Sequence, residues 1–481
     1  DEYGLPVANV FHAGDGNLHP LILYDASVPG EMAKAEAIGG RILELCVAVG
    51  GTVTGEHGVG VEKLDQMCVQ FSPGAGAVFP REGQFRPKRY AQPRQGHPDP
   101  GALLRGGGDA RAWRGAAVQQ PGAVLSADDQ SERLHEAVRR ACADAQPLLV
   151  AGSGSKRFLM DALVADGAAL LSVAEHVGVV DYRPDELVVT VRTGTPLHDL
   201  QGLLDANQQL LPFDPPRFDG GGTIGGAIAS GLAGPARPWR GSVRDCLLGV
   251  ELVNGVGERL RFGGQVMKNV AGYDVSRLQS GAFGSLGVLL TVSLRLLPKP
   301  AVERTCALEL DAPTALARMR QWARQPLPLT GVGYQAGVLW ARLAGSEPAV
   351  AAALAELGGE PVADGASWWD DLRDHTLPVF KGDAPLVRVI LPPSAPAPLE
   401  GSVVEWAGGL RWFAAEDAAH GQRLAAEAEA HGGYACGFDG RYARVEHSVM
   451  AEALRIQQRR IKRAFDPQDL FNRGLVEMDA D

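Results

Sequence analysis

The sequence contains no C-x-x-C pair. Its six cysteines, Cys46, Cys68, Cys142, Cys246, Cys306 and Cys436, are scattered along 481 residues, which excludes a zinc ribbon or a ligated iron–sulfur cluster within the chain. Cys142 and Cys246 sit in apolar contexts and read as small core residues. The compartment therefore reads as reducing and cytoplasmic. Long hydrophobic runs are also missing: GVLLTVSLRLL is interrupted by Ser293 and Arg295, and no run approaches the length of a bilayer span. Positive charge is in deficit, with 46 Lys+Arg against 57 Asp+Glu and a net charge of −11. That balance argues against a nucleic-acid partner, which needs a basic face. The opening DEYGLPVANVFH is acidic and unlike an export signal, and its lack of an initial Met reads as a chain cut from something longer. What remains, 45% hydrophobic and 21% charged residues, is ordinary for a folded protein with room for two or three domains.

Glycine is abundant, at 61 residues, and it crowds two windows, Gly220 to Gly226 and Gly281 to Gly287. Each window meets an apolar run. Such crowding marks positive φ or close approach of a ligand to the backbone, and successive free N–H groups there form nests for anionic groups. One cluster alone would read as a tight hairpin turn. A third, Ala151-Gly152-Ser153-Gly154-Ser155, follows the predicted strand PLLV and turns the balance toward a long phosphorylated cofactor. Backbone N–H groups of Gly152 to Ser155 and of Gly221 to Gly226 suit its pyrophosphate. Lys156 does not make the third cluster a Walker loop, whose spacing differs.

The first block, 1–71, reads as strand, Gly-rich turn and strand, then a helix with Ile38, Ile42, Leu43 and Cys46 at helical spacing and a stop at Gly50-Gly51. GTVTGEHGVGVEKLDQM adds a short strand, a turn and a helix start. Singly, His12, His19, Glu56 and His57 read as polar loop residues. Together, among flanking glycines, they suit a divalent ion such as zinc with one histidine left as a base. The motifs H-x-G-D-G-N-x-H and G-E-H-G resemble the C-terminal part of the FAD-linked 2-hydroxyacid dehydrogenases. That resemblance implies His12, His19 and Glu56 as metal ligands and His57 as the catalytic base for the substrate hydroxyl. The flavin domain that precedes this block in the family is not in the sequence.

Between 72 and 122 the chain is rich in Pro, Gly and Arg with no sustained period. Such a segment buries too little apolar surface to offset its ordering entropy, so a disordered linker is expected. The family's amphipathic helix and F-D-P…N-P-G tail are missing here, which suggests a frame slip joining two neighbouring genes.

A second start follows. SADDQSERLHEAVRRACADA predicts a helix with Leu134, Val138 and Ala141 on one face and Asp128 and Asp129 near its N-terminus. After PLLV come a strand pair around VGVVDYRPDELVVTVRT and a helix carrying Leu197, Leu200, Leu203 and Leu204. This order is not the βαβ repeat of a dinucleotide-binding fold. V-A-G-S-G-S, E-L-V-V-T-V-R-T-G-T-P-L, G-G-G-T-I-G-G-A-I-A-S-G and G-S-L-G-V-L-L resemble the FAD-binding domain of the vanillyl-alcohol oxidase and p-cresol methylhydroxylase superfamily. Closer still, G-x-V-M-K-N-V-A-G-Y-D-V-S-R-L (Gly264 to Leu278) resembles the FAD-binding subunit family of bacterial glycolate oxidases.

The resemblance implies an α+β protein: a two-subdomain FAD-binding domain of p-cresol methylhydroxylase type over 123–298 and an α+β cap with the C-terminal region over 299–481. The N-terminal α+β fragment and the linker precede them. It implies noncovalent FAD, because the loop position that carries a histidine in covalent relatives falls near Ser155. The implied cofactor residues are Ala151, Gly152, Ser153, Gly154, Ser155, Gly221, Gly222, Thr223, Gly225, Gly226, Ser230, Lys268, Gly284, Gly287, Val288 and Asn472. Lys268 reads equally well as a surface lysine. Trp368, Trp369, Asp370, Asp371 and Arg373 read more readily as packing than as a substrate cleft, and the terminal helix is expected to bury Val449, Leu454, Ile461 and Phe465 with its arginines solvated.

The function implied is that of an FAD-binding subunit in a complex oxidising glycolate to glyoxylate, with a catalytic FAD-linked subunit and an iron–sulfur subunit as partners. The location is then cytoplasmic or peripheral at the inner membrane. A structural subunit that keeps the flavin fold, or an oxidoreductase for another 2-hydroxy acid such as D-lactate, are the alternatives.

Overall fold

The computed structural model describes residues 4–12, 17–25, 28–49, 128–160, 167–218, 221–265, 274–396, 402–438, 452–476 and 478. Two compact units emerge, Asp1–Val118 with Val270–Gly272, and Gln119–Asn269 with Tyr273–Asp481. The linker expected over 72–122 lies outside the described residues, as do the strand, turn and helix start expected around Gly51 to Met67.

In the first unit, β1 (Val7–His12) and β2 (Asn17–Ile22) form an antiparallel hairpin with Val10 opposite His19 and His12 opposite Asn17. Helix α1 (Glu31–Ala48) follows Gly30, whose φ of 89° turns the chain into it.

In the second unit, α2 (Ser131–Asp144) starts two residues after Asp129, whose Oδ1 accepts the Ser131 amide hydrogen at 3.0 Å. Its face Leu134, Val138 and Ala141 is buried as the spacing predicts. It packs on the parallel pair β3 (Leu148–Ala151) and β4 (Ala169–Ser172). Then come β5 (Val179–Arg183), β6 (Val188–Arg192), α3 (Leu197–Ala206), β7 (Gln209–Leu210), α4 (Ile224–Ser230), β8 (Leu247–Val253), β9 (Arg259–Gly263), β10 (Val288–Arg295) and β11 (Leu297–Pro298). Five of these strands form an antiparallel sheet in the order β5-β6-β10-β8-β9. Leu197, Leu200 and Leu204 of α3 and Ile224 and Ile228 of α4 pack against Val189, Val191, Leu252 and Val292 in one core. The run Val188-Val189-Thr190-Val191 lacks polar alternation because the strand is covered on both faces.

The remaining residues build an eight-stranded antiparallel sheet. In chain order its parts are β12 (Val302–Glu309), α5 (Ala312–Trp322), β13 (Leu329–Gln335), β14 (Val338–Gly345), α6 (Glu347–Leu357), β15 (Glu360–Val362), α7 (Gly365–Asp374), β16 (Leu386–Ile390), β17 (Ser402–Glu405), β18 (Leu410–Ala414), α8 (Ala418–Ala430) and β19 (Tyr434–Gly437). The strand order is β15-β12-β14-β13-β17-β18-β16-β19. The tryptophan pair on α7 packs: Trp369 donates to Thr305 Oγ1 at 3.0 Å, and Trp368 stacks on Trp340 with ring centres 4.9 Å apart.

Helix α9 (Glu452–Phe465) corrects the sequence expectation in two places. Leu454, assigned to the apolar stripe, is 58% exposed, whereas the unremarked Lys462 is 1% exposed. The helix ends immediately before Asp466, and Lys462 turns inward because that carboxylate, one turn on, is buried beside it. Among the described residues no helix is long and apolar enough to cross a membrane.

Candidate functional site

A pocket of the second unit, with about 680 Å³ of empty space, opens where the end of β3, the start of α4 and the loop before β10 converge. Its size is that of cofactor pockets. Of the sequence-derived residues, Ala151, Gly152, Ser153, Gly154, Ser155, Thr223, Gly225, Gly226, Ser230, Gly284 and Gly287 line it. All three glycine-rich stretches therefore meet at one place.

They meet because two of them pack directly on each other. A Cβ on Gly152 would stand 2.5 Å from Thr223 Oγ1, so only glycine lets the first loop cross the start of α4. Gly225 is held for a different reason than a ligand's approach. Its Cβ would meet Thr193 Cβ and O at 2.7 Å, and its amide hydrogen goes to Thr193 O.

The loops do not contribute equally. In the second stretch, the amides of Gly221, Ile224 and Gly225 donate to Phe218, Thr195 and Thr193 carbonyls, and Gly226 donates to Thr223 Oγ1 at 3.1 Å. That stretch supplies a wall with most of its donors spent. In the first, the amides of Ser153, Gly154 and Ser155 donate no hydrogen bond among the described residues. Unspent N–H groups in a concave turn are chemically suited to a pyrophosphate. The loop thus fits a dinucleotide cofactor without a charged side chain.

Other expected residues stand elsewhere. Gly222 is not among the lining residues; a Cβ there would stand 3.1 Å from Leu197 Cδ1 and 3.2 Å from Lys156 Nζ. Gly221 is exposed, and Val288 is sealed in the core of β10. Lys268 lies outside the described residues. Asn472 does not line the pocket. Its side chain ties β3 to the loop before β10, accepting from Val150 N at 2.8 Å and donating to Phe283 O at 2.5 Å.

Sequence reasoning missed Lys156. Its side chain is buried at the pocket wall, and its amino group makes one long hydrogen bond, 3.5 Å to Ser155 Oγ, while facing the Phe218 ring at 5.4 Å. Burial pushes its pKa down to about 8, opposed by the charge of Asp374. The only signal in the sequence was a lysine directly after the glycine loop.

Of the expected metal set, His12 and His19 fall in β1 and β2, and Glu56 and His57 lie outside the described residues. Among the described residues no three His, Cys, Asp or Glu side chains gather in a metal-binding group.

Comparison with known proteins follows the same division. Residues 121–263 match the family described as FAD binding domain, and residues 1–81 match FAD linked oxidases, C-terminal domain. Glycolate oxidase subunit GlcE of Escherichia coli K12 is 42% identical over 358 residues, covering 73% of this chain and 99% of that protein. The chain belongs to the GlcE family. It is an FAD-dependent oxidoreductase family, and the second unit carries its FAD-binding domain. Glycolate oxidase subunit GlcD of the same organism is 69% identical over 78 residues, which are 16% of this chain and 16% of GlcD. Among solved structures, an alkyldihydroxyacetonephosphate synthase aligns with a TM-score of 0.52 at 13% identity, covering 71% of this chain and 74% of that one. That likeness extends the FAD-binding fold of p-cresol methylhydroxylase type, with its α+β mixture, to this chain.

Proposed function

We propose that this chain is the FAD-binding subunit of a complex that oxidises glycolate to glyoxylate. The observation that carries the reading is the match to GlcE across 99% of that subunit's length, on a fold whose three glycine loops form one pocket. The loop Gly152 to Ser155 holds the pyrophosphate through its unspent amides, and the wall from Thr223 to Ser230 and Gly284 to Gly287 encloses the rest. The loop position that carries a histidine in covalent relatives falls near Ser155 here, so FAD is held without a covalent link. Bound there, FAD supplies a two-electron acceptor. Lys156 places a positive charge beside it, and Asn472 holds the two loops in register without touching it.

The catalytic proton transfer belongs to a separate FAD-linked subunit, and the electrons leave through an iron–sulfur subunit. The first unit reads as a 1–71 fragment of such a catalytic subunit, with His12, His19 and Glu56 as the divalent-metal set and His57 as the base. The whole assembly works in the cytoplasm or at the inner membrane face. Residues 123–298 and 299–481 are taken as the flavin and cap domains.

The test is an absorbance spectrum of the purified chain before and after glycolate. Flavin bands that survive purification, vanish from the acid-precipitated pellet and are not bleached by glycolate with this chain alone agree with the proposal. Yellow colour that stays in the pellet overturns noncovalent binding. Bleaching by glycolate that disappears in a His57→Ala variant would place catalysis in this chain.

A further inference from the structure

The segment that runs into the second glycine stretch is gripped by the eight-stranded sheet and by helix α7. Asp214 accepts from Arg342 of β14 at 2.7 Å, with Arg240 4.0 Å away. Asp374, the last residue of α7, accepts the Arg217 amide hydrogen on Oδ1 at 2.9 Å, and its Oδ2 lies 3.6 Å from Arg217 Nε. Phe218, next in line, meets the His375 and Phe158 rings edge-on, each at 5.4 Å between centres. Asp214 and Phe218 have φ of 43° and 51°, which residues other than glycine keep only where their neighbours hold them there.

This turn stands over Lys156. The Phe218 ring centre is 5.4 Å from the Lys156 amino group, whose hydrogen bond to Ser155 Oγ is long at 3.5 Å. An amine so buried and so weakly bonded keeps its proton only where a negative charge reaches it. The charge that opposes its burial is that of Asp374. Asp374 does not line the pocket, so it acts on the pocket only through the turn and through Lys156.

The groups around Asp374 keep it ionised. Burial works against its charge, but hydrogen bonds from Arg373, at 3.0 and 2.5 Å, and from the Arg217 amide outweigh it and hold its carboxyl below the usual range. Asp370 pairs with Arg373 at 2.6 Å. His375, the next residue, lines a small cavity with Arg388 and Glu405. Burial pushes His375 down to about 3 and Glu405 up to about 7. Above neutral pH the histidine is therefore neutral and the carboxylates and guanidinium groups are charged, which leaves Lys156 as the group that titrates there.

We propose that Asp374 is a positioning residue for the flavin: from the end of α7 it fixes the turn Arg217–Phe218 over Lys156 and keeps that amine cationic at the pocket wall. This rests on the reading of the pocket as the FAD site. It adds a residue outside the pocket through which the eight-stranded part of the chain sets how tightly FAD is held.

Fluorescence titration of the full chain with FAD at a series of pH values tests it, with two substitutions that keep the turn's backbone tie and change the local charge in opposite senses. Asp374→Asn retains an oxygen for the Arg217 amide but removes the carboxylate, so the fall in FAD affinity with rising pH should move down by about half a pH unit or more. Arg217→Met leaves the amide in place and removes a cation that masks Asp374, so the fall should move up. In a Lys156→Met background neither substitution should move or create a pH dependence. A flat wild-type profile, a midpoint unmoved in both single variants or shifted the same way in both, or a shift that persists without Lys156 refutes the role of Asp374 while FAD binding stands. If Asp374→Asn does not fold, a midpoint in Arg217→Met that stays or falls refutes it. A folded wild-type chain that takes up no FAD overturns the flavin reading and this role with it.

Discussion

Asn472 Oδ1 accepts the amide hydrogen of Val150 at 2.8 Å, joining positions 322 apart in sequence. Through Nδ2 the same side chain holds Phe283 O, so one amide fixes both the strand that launches the first glycine loop and the turn that carries Gly284. Replacing it with alanine leaves a donor and an acceptor without partners, a cost of about 1–3 kcal/mol. Asn472→Ala should lower the denaturation midpoint and reduce flavin retention together. A variant with unchanged flavin affinity would show that the loops need no such tie.

Lys462 is enclosed more completely. Its amino group bonds Asp466 Oδ2 at 2.7 Å and the Ser285 and Phe471 carbonyls at 2.9 Å, with Asp469 3.0 Å away. Asp466 in turn accepts the Leu470 and Phe471 amides. Lys462→Met removes the cation and strands a buried carboxylate, costing about 3–5 kcal/mol. Urea unfolding should show this loss, and a change below about 1 kcal/mol would contradict the buried-network account.

Lys156 gives a pH signature. With its pKa lowered to about 8 by burial, the amine is cationic at neutral pH and loses its charge as pH rises through that value. FAD affinity should therefore fall between about pH 7 and 9 in the wild type. In Lys156→Met it should be weaker throughout and nearly flat across that range. Fluorescence titration of FAD at several pH values decides it.

Glu405 predicts a slope in stability. Burial raises its folded pKa from 4.5 to about 7, against the opposing charge of Arg388 and the hydrogen bond from Trp412, and with Asp214 reinforcing it. Between those values the folded state keeps a proton that the unfolded chain releases, so Glu405 lowers stability as pH rises from about 4.5 to 7. His375 acts oppositely: burial and Arg388 lower its pKa from 6.5 to about 3, with Asp374 opposing, so its effect is lost stability as pH falls below about 6.5. Glu405→Gln should remove the first slope and expose the second. Chemical denaturation from about pH 4.5 to 7.5 would reveal it, and parallel curves for both proteins would rule it out.

The sequence by itself determined the elements whose signal is local. The faces of α2 and α3, the strands β3, β6 and β10 and the three glycine loops are set by periodicity and by the few backbone conformations that glycine alone adopts easily. The resemblance carried in those loops was enough to point to the flavin. What only the tertiary structure decided depends on groups far apart in the chain. It showed that Gly221 to Gly226 mostly spends its amides on its own neighbours, and that Asn472 acts on two loops instead of facing the pocket. It turned Lys462 inward and Leu454 outward, against the apolar pattern, because the buried Asp466 outweighs hydrophobic periodicity on a short helix. Arg388, Glu405 and His375 carry no common motif. Antiparallel pairing and the turn after α7 bring them to one cavity, and no spacing along the chain encodes that meeting.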